Sequence, residues 1–425
     1  MTDQFPPKNF ISTESAIDGI QVYKPAPPEQ DAHQKIVEFK CPQCGASTAY
    51  SASDGGLTCS HCGYFEIPQA KAVGRRAQQF EFTVDTMQRA AQGWGETRKE
   101  LVCQNCGALT TVPTEVMTHT CPFCGSNKVI QRQAPQDILR PRFLVPFIIE
   151  PSQCLAITQE WLGNSWMTPA KLRQASSLGN FKGVYLPYWT FTAQTSASWK
   201  AQVGHTKTER YYSDGEWKTR QVTVWRWESG QAQVDIINLL IAGTARLSEK
   251  LLQETKTYNL DELVNYDPKF LAGMQASSYD IPLEKAWDLG REQMREQTRQ
   301  ACLSQTSTHK VRNFSMSMDF ADESWRYILL PVYLNTYSYE NCPYQMMINA
   351  QTGAISGQRP VDWRKIWLAI ALLLAPGLIL GLIGLVTILF GGIGVIIGTA
   401  GFILLLIGAV ASFILWKKAD SLDDL

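Results

Sequence analysis

The chain has 425 residues and no net charge, because 39 lysines and arginines balance 39 aspartates and glutamates. A neutral composition lacks the overall basic footprint of nucleic-acid-binding domains. The sequence also contains no Gly-Lys dipeptide, no Gly-x-Ser-x-Gly motif and no His-Glu-x2-His motif. These absences exclude a P-loop nucleotide hydrolase, a serine hydrolase of the nucleophile-elbow type and a zincin-type metalloprotease.

The N-terminal segment, residues 1–35, is rich in proline and polar residues and has no apolar stretch of the kind found in signal peptides. We therefore expect a disordered tail there. We also expect the chain to stay in a reducing compartment, where cysteine thiols remain free to bind metal.

Eight of the eleven cysteines form two copies of one spacing, Cys-x2-Cys-x14-Cys-x2-Cys, displaced by 62 residues, and a glycine follows each Cys-x2-Cys pair. Two such pairs on tight turns across a short hairpin complete a tetrahedral site. The pattern predicts zinc ribbons at 36–70 and 101–131, a linker at 71–100, and two Zn²⁺ ions per chain. The predicted metal ligands are Cys41, Cys44, Cys59, Cys62, Cys103, Cys106, Cys121 and Cys124.

Two other fates of these cysteines stay open on the sequence alone. Disulfide bonds need an oxidising compartment, which the N-terminal composition argues against. Iron in a rubredoxin-like centre also suits such knuckles, because tetrathiolate geometry does not separate iron from zinc. His61 and His119 fall inside the ribbons, and we expect them on the surface because four cysteines saturate each site. Cys154, Cys302 and Cys342 are isolated and are expected to be packed side chains.

The region 140–360 is long enough to bury a substantial core and mixes helical and strand patterns. Helices are predicted after a Ser152 cap, over 245–255 and over 282–303. Aromatic and alternating segments predict strands, with turns at Asp214-Gly215 and Ser229-Gly230 and a meander over 325–339, 344–350 and 354–357. The predicted class is α+β with an antiparallel sheet.

Two segments of this region echo each other, Tyr185-Leu-Pro-Tyr-Trp189 and Leu329-Leu-Pro-Val-Tyr333. Proline lacks the N–H that a central strand donates, so it usually lies on an edge strand or at a bulge. The aromatic side chains of these segments either fill a core or mark exposed edges that pair with a partner protein. On the second interpretation, the partner-binding residues are Tyr185, Tyr188, Trp189 and Tyr333.

No charged residue occurs from position 366 to position 416, a run of 51 residues. One membrane-spanning helix needs about 20 apolar residues, so the run predicts a two-helix transmembrane hairpin over 364–418, followed by a short tail at 419–425. The cations Arg364, Lys365, Lys417 and Lys418 flank the two ends of the run. Cations stay on the cytoplasmic side, which predicts an inner-membrane protein with both termini in the cytoplasm.

Nine glycines lie within the uncharged run, and two pairs have small-x3-small spacing, Gly377 with Gly381 and Gly394 with Gly398. Such spacing lets helix backbones approach closely. The glycines either close the hairpin on itself or pack it against another copy as an oligomer.

Together, the paired Cys-x2-Cys-Gly ribbons, the segment from Phe181 to Phe191, the segment from Leu329 to Tyr333 and the segment from Ile348 to Gly357 resemble a bacterial family. Its members are described as zinc-ribbon (transcription factor IIB-type) membrane proteins, and many are labelled as similar to the primosomal replication helicase. This chain lacks the phosphate-binding loop that such a helicase needs. The resemblance further implies membrane anchors for a cytoplasmic stomatin-like protein and phage-shock-type proteins in envelope stress.

Two functions follow from the sequence. The first is a membrane-anchored zinc-ribbon scaffold that recruits or regulates cytoplasmic proteins, with no enzymatic activity. The second is a nucleic-acid-binding zinc-ribbon protein tethered to the membrane, which the neutral charge disfavours.

Overall fold

The computed structural model has the α+β class that the sequence predicts, and it describes residues 10–13, 22–25, 40–68, 73–74, 80–81, 94, 98–113, 120–134, 139–174, 176–213, 215–340, 342–387 and 393–423. The strands of the N-terminal part are β1 Phe10–Thr13, β2 Val22–Pro25, β3 Ala49–Ser51, β4 Gly56–Thr58, β5 Phe65–Glu66, β6 Phe80–Glu81, β7 Arg98–Cys103, β8 Leu109–Pro113 and β9 Val129–Gln133. The later strands are β10 Phe143–Leu144, β11 Lys182–Ser213, β12 Glu216–Ala242, β13 Val264–Asn265, β14 Gln275–Ser277, β15 Val311–Tyr339, β16 Cys342–Asn349 and β17 Ile355–Gly357. The helices are α1 Pro151–Gly163, α2 Glu249–Thr255, α3 Leu283–Ser304, α4 Trp363–Thr387 and α5 Ile393–Asp423, with 3-10 turns at Ala170–Gln174, Ser176–Gly179, Leu260–Glu262 and Pro268–Leu271.

Three long antiparallel strands, β11, β12 and β15, form the centre of the fold. β11 lies in the middle. Its inner end, which begins at Lys182, pairs with β15, and from Tyr188 to Val203 it pairs with both β15 and β12. From Ala193 to Val203 its side chains alternate between buried and more exposed, as expected for a strand with one covered face. The covering element is α3, where the Thr298 hydroxyl lies 2.8 Å from the hydroxyl of Thr195 in β11.

The inner half of β11 is buried on both faces. Tyr185 and Trp189 belong to the hydrophobic cluster on one face, and Val184 and Tyr188 to the cluster on the other. The interpretation of this segment and of the matching β15 segment as exposed edges is therefore wrong. The four residues predicted to bind a partner have exposed fractions of 0% at Tyr185, 2% at Tyr188, 0% at Trp189 and 1% at Tyr333.

Pro187 and Pro331 fit into central strands because each lies at a position where one neighbouring strand has ended and the next has not yet begun. On one side of β11, pairing with β14 ends at Tyr185 and pairing with β12 begins at Tyr188. Pro187 lies between these points, where its missing N–H interrupts no strand ladder, and its carbonyl accepts a hydrogen bond from the Gly243 N–H at 2.8 Å. Pro331 lies in the corresponding gap of β15, between its pairings with β10 and β16.

One of the two predicted turns forms and the other does not. Ser213 pairs with Glu216, and Gly215 has a φ of +82°, which suits a tight two-residue turn. Asp214 lies outside the described residues. Ser229 and Gly230 instead lie within β12. Position 230 requires glycine because the Trp199 indole packs against it, and a Cβ there would lie 2.9 Å from the indole Nε1.

Several element boundaries differ from the prediction for local reasons. α1 begins with Glu150 rather than Ser152 as its N-cap, and the Glu150 N–H donates to the Gln153 side chain at 3.0 Å. α2 begins only after Ser248, whose hydroxyl accepts from the Leu251 N–H. β15 begins at Val311, well before the predicted meander. The prediction missed the outer half of this strand because its polar composition resembles that of a loop. In the tail predicted to be disordered, β1 and β2 pair antiparallel, since both carry β-branched or aromatic residues.

α4 and α5 are long and apolar enough to cross a membrane. They pack against each other through glycines spaced by seven residues rather than four: Gly377, Gly384, Gly401 and Gly408. A Cβ at any of these four positions would come within 2.5–2.6 Å of backbone atoms of the other helix. A Cβ at Gly381 or Gly398 would meet nothing within 4 Å. The contact within the hairpin therefore uses only part of the predicted small-x3-small pairs.

Gly384 and Gly381 form a matched pair for testing this contact. Leucine at Gly384 would place its Cβ 2.5 Å from the backbone nitrogen of Gly398, so we expect α4 and α5 to move apart. Overpacking of this kind costs about 1–3 kcal/mol. Gly381→Leu is the control. Pulsed electron resonance between spin-labelled noncanonical residues at Leu378 and Phe402 in nanodiscs reports the separation. An unchanged distance in Gly384→Leu would contradict the glycine contact.

Candidate metal centres

The four sulfurs of each cysteine group converge on one point, within 4.8 Å of one another. In the first group, the Sγ atoms of Cys41 and Cys62 are 3.4 Å apart, and those of Cys44 and Cys59 are 3.6 Å apart. In the second group, both of the corresponding distances are 3.6 Å. Sulfurs at about 2.3 Å from a tetrahedral ion lie roughly 3.8 Å from one another. The two groups therefore have the size of tetrahedral metal sites.

The same turn is repeated at all four Cys-x2-Cys pairs. The glycine after each pair has a φ between +69° and +73°, and its N–H donates to the carbonyl of the first cysteine at 2.8–2.9 Å. The N–H of that first cysteine donates to the carbonyl of the residue after the glycine, at 2.7–3.0 Å. Glycine is needed because a side chain at this φ is strained. The turn leaves the N–H groups between the cysteines facing the sulfur.

These N–H groups favour the thiolate in each group. The Cys62 and His61 N–H groups donate to the Cys59 sulfur and, against the effect of burial, lower its pKa to about 6. Burial raises the pKa of Cys103, but N–H groups of Cys106 and Asn105 outweigh it, and the pKa falls to about 7. Burial raises the pKa of Cys106 to about 11. Four adjacent thiols can all ionise only when a cation balances them.

Among the described residues, the remaining cysteines and histidines take no part in the two groups. His61 lies exposed in a turn of the first ribbon, outside the sulfur cluster, as predicted, and His119 is outside the described residues. Cys154 and Cys302 are buried, and desolvation raises the pKa of both thiols. Cys342 is exposed, contrary to its expected packing, because it lies at the solvent end of β16. The structure contains no disulfide among the described residues.

The first ribbon is docked on the central domain through the 3-10 turn Pro268–Leu271. The Tyr50 ring lies 5.3 Å from the Phe270 ring, and the Tyr50 N–H donates to the Ala272 carbonyl at 3.1 Å. Lys269 forms an ion pair with Glu66 at the end of the ribbon. The ribbon therefore has a fixed position on the domain rather than hanging from a linker.

The second ribbon is part of the main sheet. Its β8 pairs antiparallel with β14, through Thr111 with Ala276 and Thr110 with Ser277. Arg98, fully buried at the start of β7, donates to the Thr111 and Met274 carbonyls, each at 3.3 Å. Through β14, the ribbon is hydrogen-bonded to the inner end of β11.

Side chains of the central domain also hold the cysteine turns of the second ribbon. The Phe123 carbonyl, between Cys121 and Cys124, accepts from the Gln345 amide at 2.7 Å and from the Thr336 hydroxyl at 3.1 Å. The Cys106 carbonyl accepts from Arg246 at 3.1 Å, and Asp280 holds the same guanidinium at 2.9 Å. Both turns of this centre are thus anchored to distant parts of the chain.

Sequence reasoning missed these anchoring residues. Arg246, Thr336 and Gln345 lie 140, 213 and 222 residues from their partners along the chain. None of them belongs to a motif, so no local signal distinguishes them from other polar residues. The cysteines, in contrast, carry their geometry in their spacing.

No protein-family model matches the chain, and no solved structure matches it. The chain is similar to a protein of Bacillus subtilis (strain 168), the uncharacterized protein YdjG, with 24% identity over 345 residues. The similarity covers 78% of this chain and 92% of that protein. It extends over most of both chains and assigns no activity.

The two centres have separate ligand sets, so we expect them to lose metal separately. Cys59→Ser should reduce the metal content from two ions to one per chain and loosen β3–β5, because short hairpins depend on their metal to stay folded. Elemental analysis with hydrogen exchange of the full chain measures both effects. Cys342→Ser, outside both groups, is the control. Loss of both ions, or faster exchange in β7–β9, would contradict separate centres.

Proposed function

We propose that this protein is a membrane-anchored zinc scaffold that recruits cytoplasmic proteins to the inner face of the cell membrane. The observation that carries the proposal is the attachment of two four-cysteine centres to one domain that leads directly into a membrane-type hairpin. β15, β16 and β17 run from the second centre toward α4, and Gln345 in β16 exchanges two hydrogen bonds with Gln358 just before α4. Hydrogen bonds thus connect the second cysteine group, through Gln345, to the residues before α4, and this connection supports the proposal.

Zinc is the metal in this proposal. Four cysteine thiolates in a closed tetrahedral set suit structural zinc, and they leave no open position for a substrate. The metal's contribution is to hold each short ribbon folded against the domain. Iron takes the same ligand set, so the metal must be identified by measurement.

The proposed orientation puts both ends of the hairpin in the cytoplasm. Arg364 and Lys365 lie at the start of α4, and Lys417 and Lys418 lie near the end of α5. Ile366 of α4 and Ala419 of α5 belong to one hydrophobic cluster, so the four cations are at the same end of the hairpin. Cations at one end retain that end on the cytoplasmic side.

If the proposed orientation is correct, protease added outside the cell cannot reach either terminus of the chain. Protease added to intact spheroplasts should leave N-terminal and C-terminal tags uncut, whereas permeabilised cells should lose both tags. A periplasmic protein cleaved in the same sample is the control for protease access. Cleavage of either tag in sealed spheroplasts would contradict the orientation.

The described residues also include a serine, a histidine and a carboxylate in contact, and their geometry favours a structural role. The Ser307 hydroxyl donates to the Glu228 carboxylate at 2.5 Å, and His205 Nε2 lies 3.2 Å from the same carboxylate oxygen. In a hydrolytic triad the histidine contacts the serine through one ring nitrogen and the carboxylate through the other. Here one nitrogen faces both groups, so we propose that the protein has no catalytic activity.

Recruitment is assigned to the distal hairpin, residues 204–226, because the first predicted partner surface is buried. The pairing of β11 with β15 ends at Val203, and the two strands of the distal hairpin continue for about ten residues, roughly 33 Å. Tyr212 and Trp217 pack together with ring centroids 5.4 Å apart, yet they are 62% and 72% exposed. Exposed aromatic side chains on an isolated hairpin are suited to anchoring a partner.

The partner in this proposal is a protein of the stomatin-like or phage-shock class, as the family resemblance implies, acting in envelope stress. A photo-cross-linking residue at position 219, on the exposed side of the distal hairpin, should capture it in native membranes. Tyr212→Ser with Trp217→Ser should reduce this cross-link at least tenfold, because even one aromatic anchor supplies around 2 kcal/mol. Mass spectrometry identifies and quantifies the captured protein.

The control for this experiment is Thr208→Ser with Gln221→Ser, a paired substitution on the same hairpin that leaves the aromatic residues in place. Equal capture by both double variants would contradict a role for the aromatic residues. The tethered nucleic-acid-binding function predicts a different result: micromolar, strongly salt-dependent binding of DNA or RNA by the purified chain. That binding, with no protein cross-link, would replace the scaffold proposal.

A further inference from the structure

A cleft of about 640 Å³ lies where the chain enters α4, and three cations line it: Lys171, Arg364 and Lys365. Two aromatic residues, Tyr339 and Trp363, and two acids, Glu340 and Asp362, complete the polar part of the lining. This volume is typical of small-ligand sites.

Packing around the cleft puts it at the membrane surface. Met167 belongs to the same hydrophobic cluster as Ile366 of α4 and Ala419 of α5, at the base of the hairpin. The Lys365 ammonium donates to the Thr168 carbonyl at 3.1 Å, which fastens this loop to the start of α4. The neighbouring Trp166 is 52% exposed and Trp367 is 61% exposed. Tryptophans prefer the headgroup level of a bilayer, so the cleft opens at that level.

The cleft has one more cation than it has acids. The Asp362 carboxylate lies 3.5 Å from the Lys365 ammonium. Burial and the neighbouring Glu340 carboxylate raise the pKa of the Tyr339 hydroxyl. Lys171 and Arg364 are exposed and, among the described residues, have no ion pair. Even with Glu340 and Asp362 both ionised, one net positive charge thus remains in the cleft for an external anion.

We propose that this cleft binds the phosphate of an anionic phospholipid headgroup, with Lys171 and Arg364 as its ligands. A guanidinium donates two parallel hydrogen bonds to a phosphate, and an ammonium adds a point charge. Trp363 lies beside them in the lining of the cleft. The inference rests on the proposed insertion of the hairpin, because only an inserted hairpin brings a headgroup to the cleft.

The test uses the full chain and two lipids. Native mass spectrometry from micelles doped with phosphatidylglycerol or phosphatidylcholine should show one phosphatidylglycerol retained in preference to phosphatidylcholine. Lys171→Gln with Arg364→Gln should weaken phosphatidylglycerol retention about 25-fold, since each cation near a membrane surface contributes about fivefold. Lys207→Gln with Lys285→Gln removes the same charge at exposed positions outside the cleft and should leave retention unchanged.

Several results would overturn this site. Equal retention of phosphatidylglycerol by the two double variants would show that the cleft is not the binding position. Displacement of the lipid by inorganic phosphate at comparable concentration would show a site for soluble phosphate rather than for lipid.

Carbonate extraction of wild-type membranes separates the two proposals. If the chain is extracted, the membrane insertion fails and this inference with it. If the chain resists extraction without lipid preference, only the cleft proposal fails.

Discussion

The antiparallel pairing of β11 with β15 is the contact on which the rest of the structure depends. Both strands are buried on two faces around Leu186 and Leu330, so their backbone groups find partners only in each other and in flanking strands. A register shift of one residue would exchange the two buried faces, Tyr185 with Leu186 for example, and mismatch both clusters. The pairing therefore has one register, and the second ribbon, α3 and the strands that lead to α4 are attached to it.

From this pairing, contacts lead in three directions. β14 joins the inner end of β11 to the second ribbon, β16 and β17 continue β15 toward α4, and β12 extends β11 into the distal hairpin. Loss of metal at the second centre would release the Phe123 carbonyl from Thr336 and Gln345, and so disturb the strands that lead to α4. This arrangement holds the parts of the chain at fixed distances, which supports the proposed role in positioning a partner.

Features encoded in local spacing could be predicted from the sequence, and features that depend on distant neighbours could not. The cysteine groups and the uncharged run carry their structural meaning within short segments, and the structure brings the predicted ligands together. The assignment of Tyr185 and Tyr333 as exposed failed because the strands that cover them come from elsewhere in the chain. Proline in a strand usually indicates an edge, and only the gap between β14 and β12 explains Pro187 in a central position.

The same distinction holds for the metal centres and the hairpin. The ligands follow from the spacing, but the docking of both ribbons on the central domain rests on single residues such as Arg98 and Tyr50, whose polar or aromatic character is unremarkable in sequence. Small-x3-small spacing correctly indicates close helix packing, yet which glycines face the partner helix depends on how the two helices rotate against each other. A Cβ at Gly384 would meet the backbone of the other helix, whereas a Cβ at Gly381 would meet nothing within 4 Å.

The central claim, a zinc scaffold anchored in the membrane, can be tested in one measurement. Membranes containing the untreated chain are washed with alkaline carbonate, and the protein that remains is purified and assayed for zinc, iron and protein mass. The account predicts that the chain resists extraction and holds two zinc ions per molecule. Extraction of the chain by carbonate, or iron in place of zinc, would contradict it.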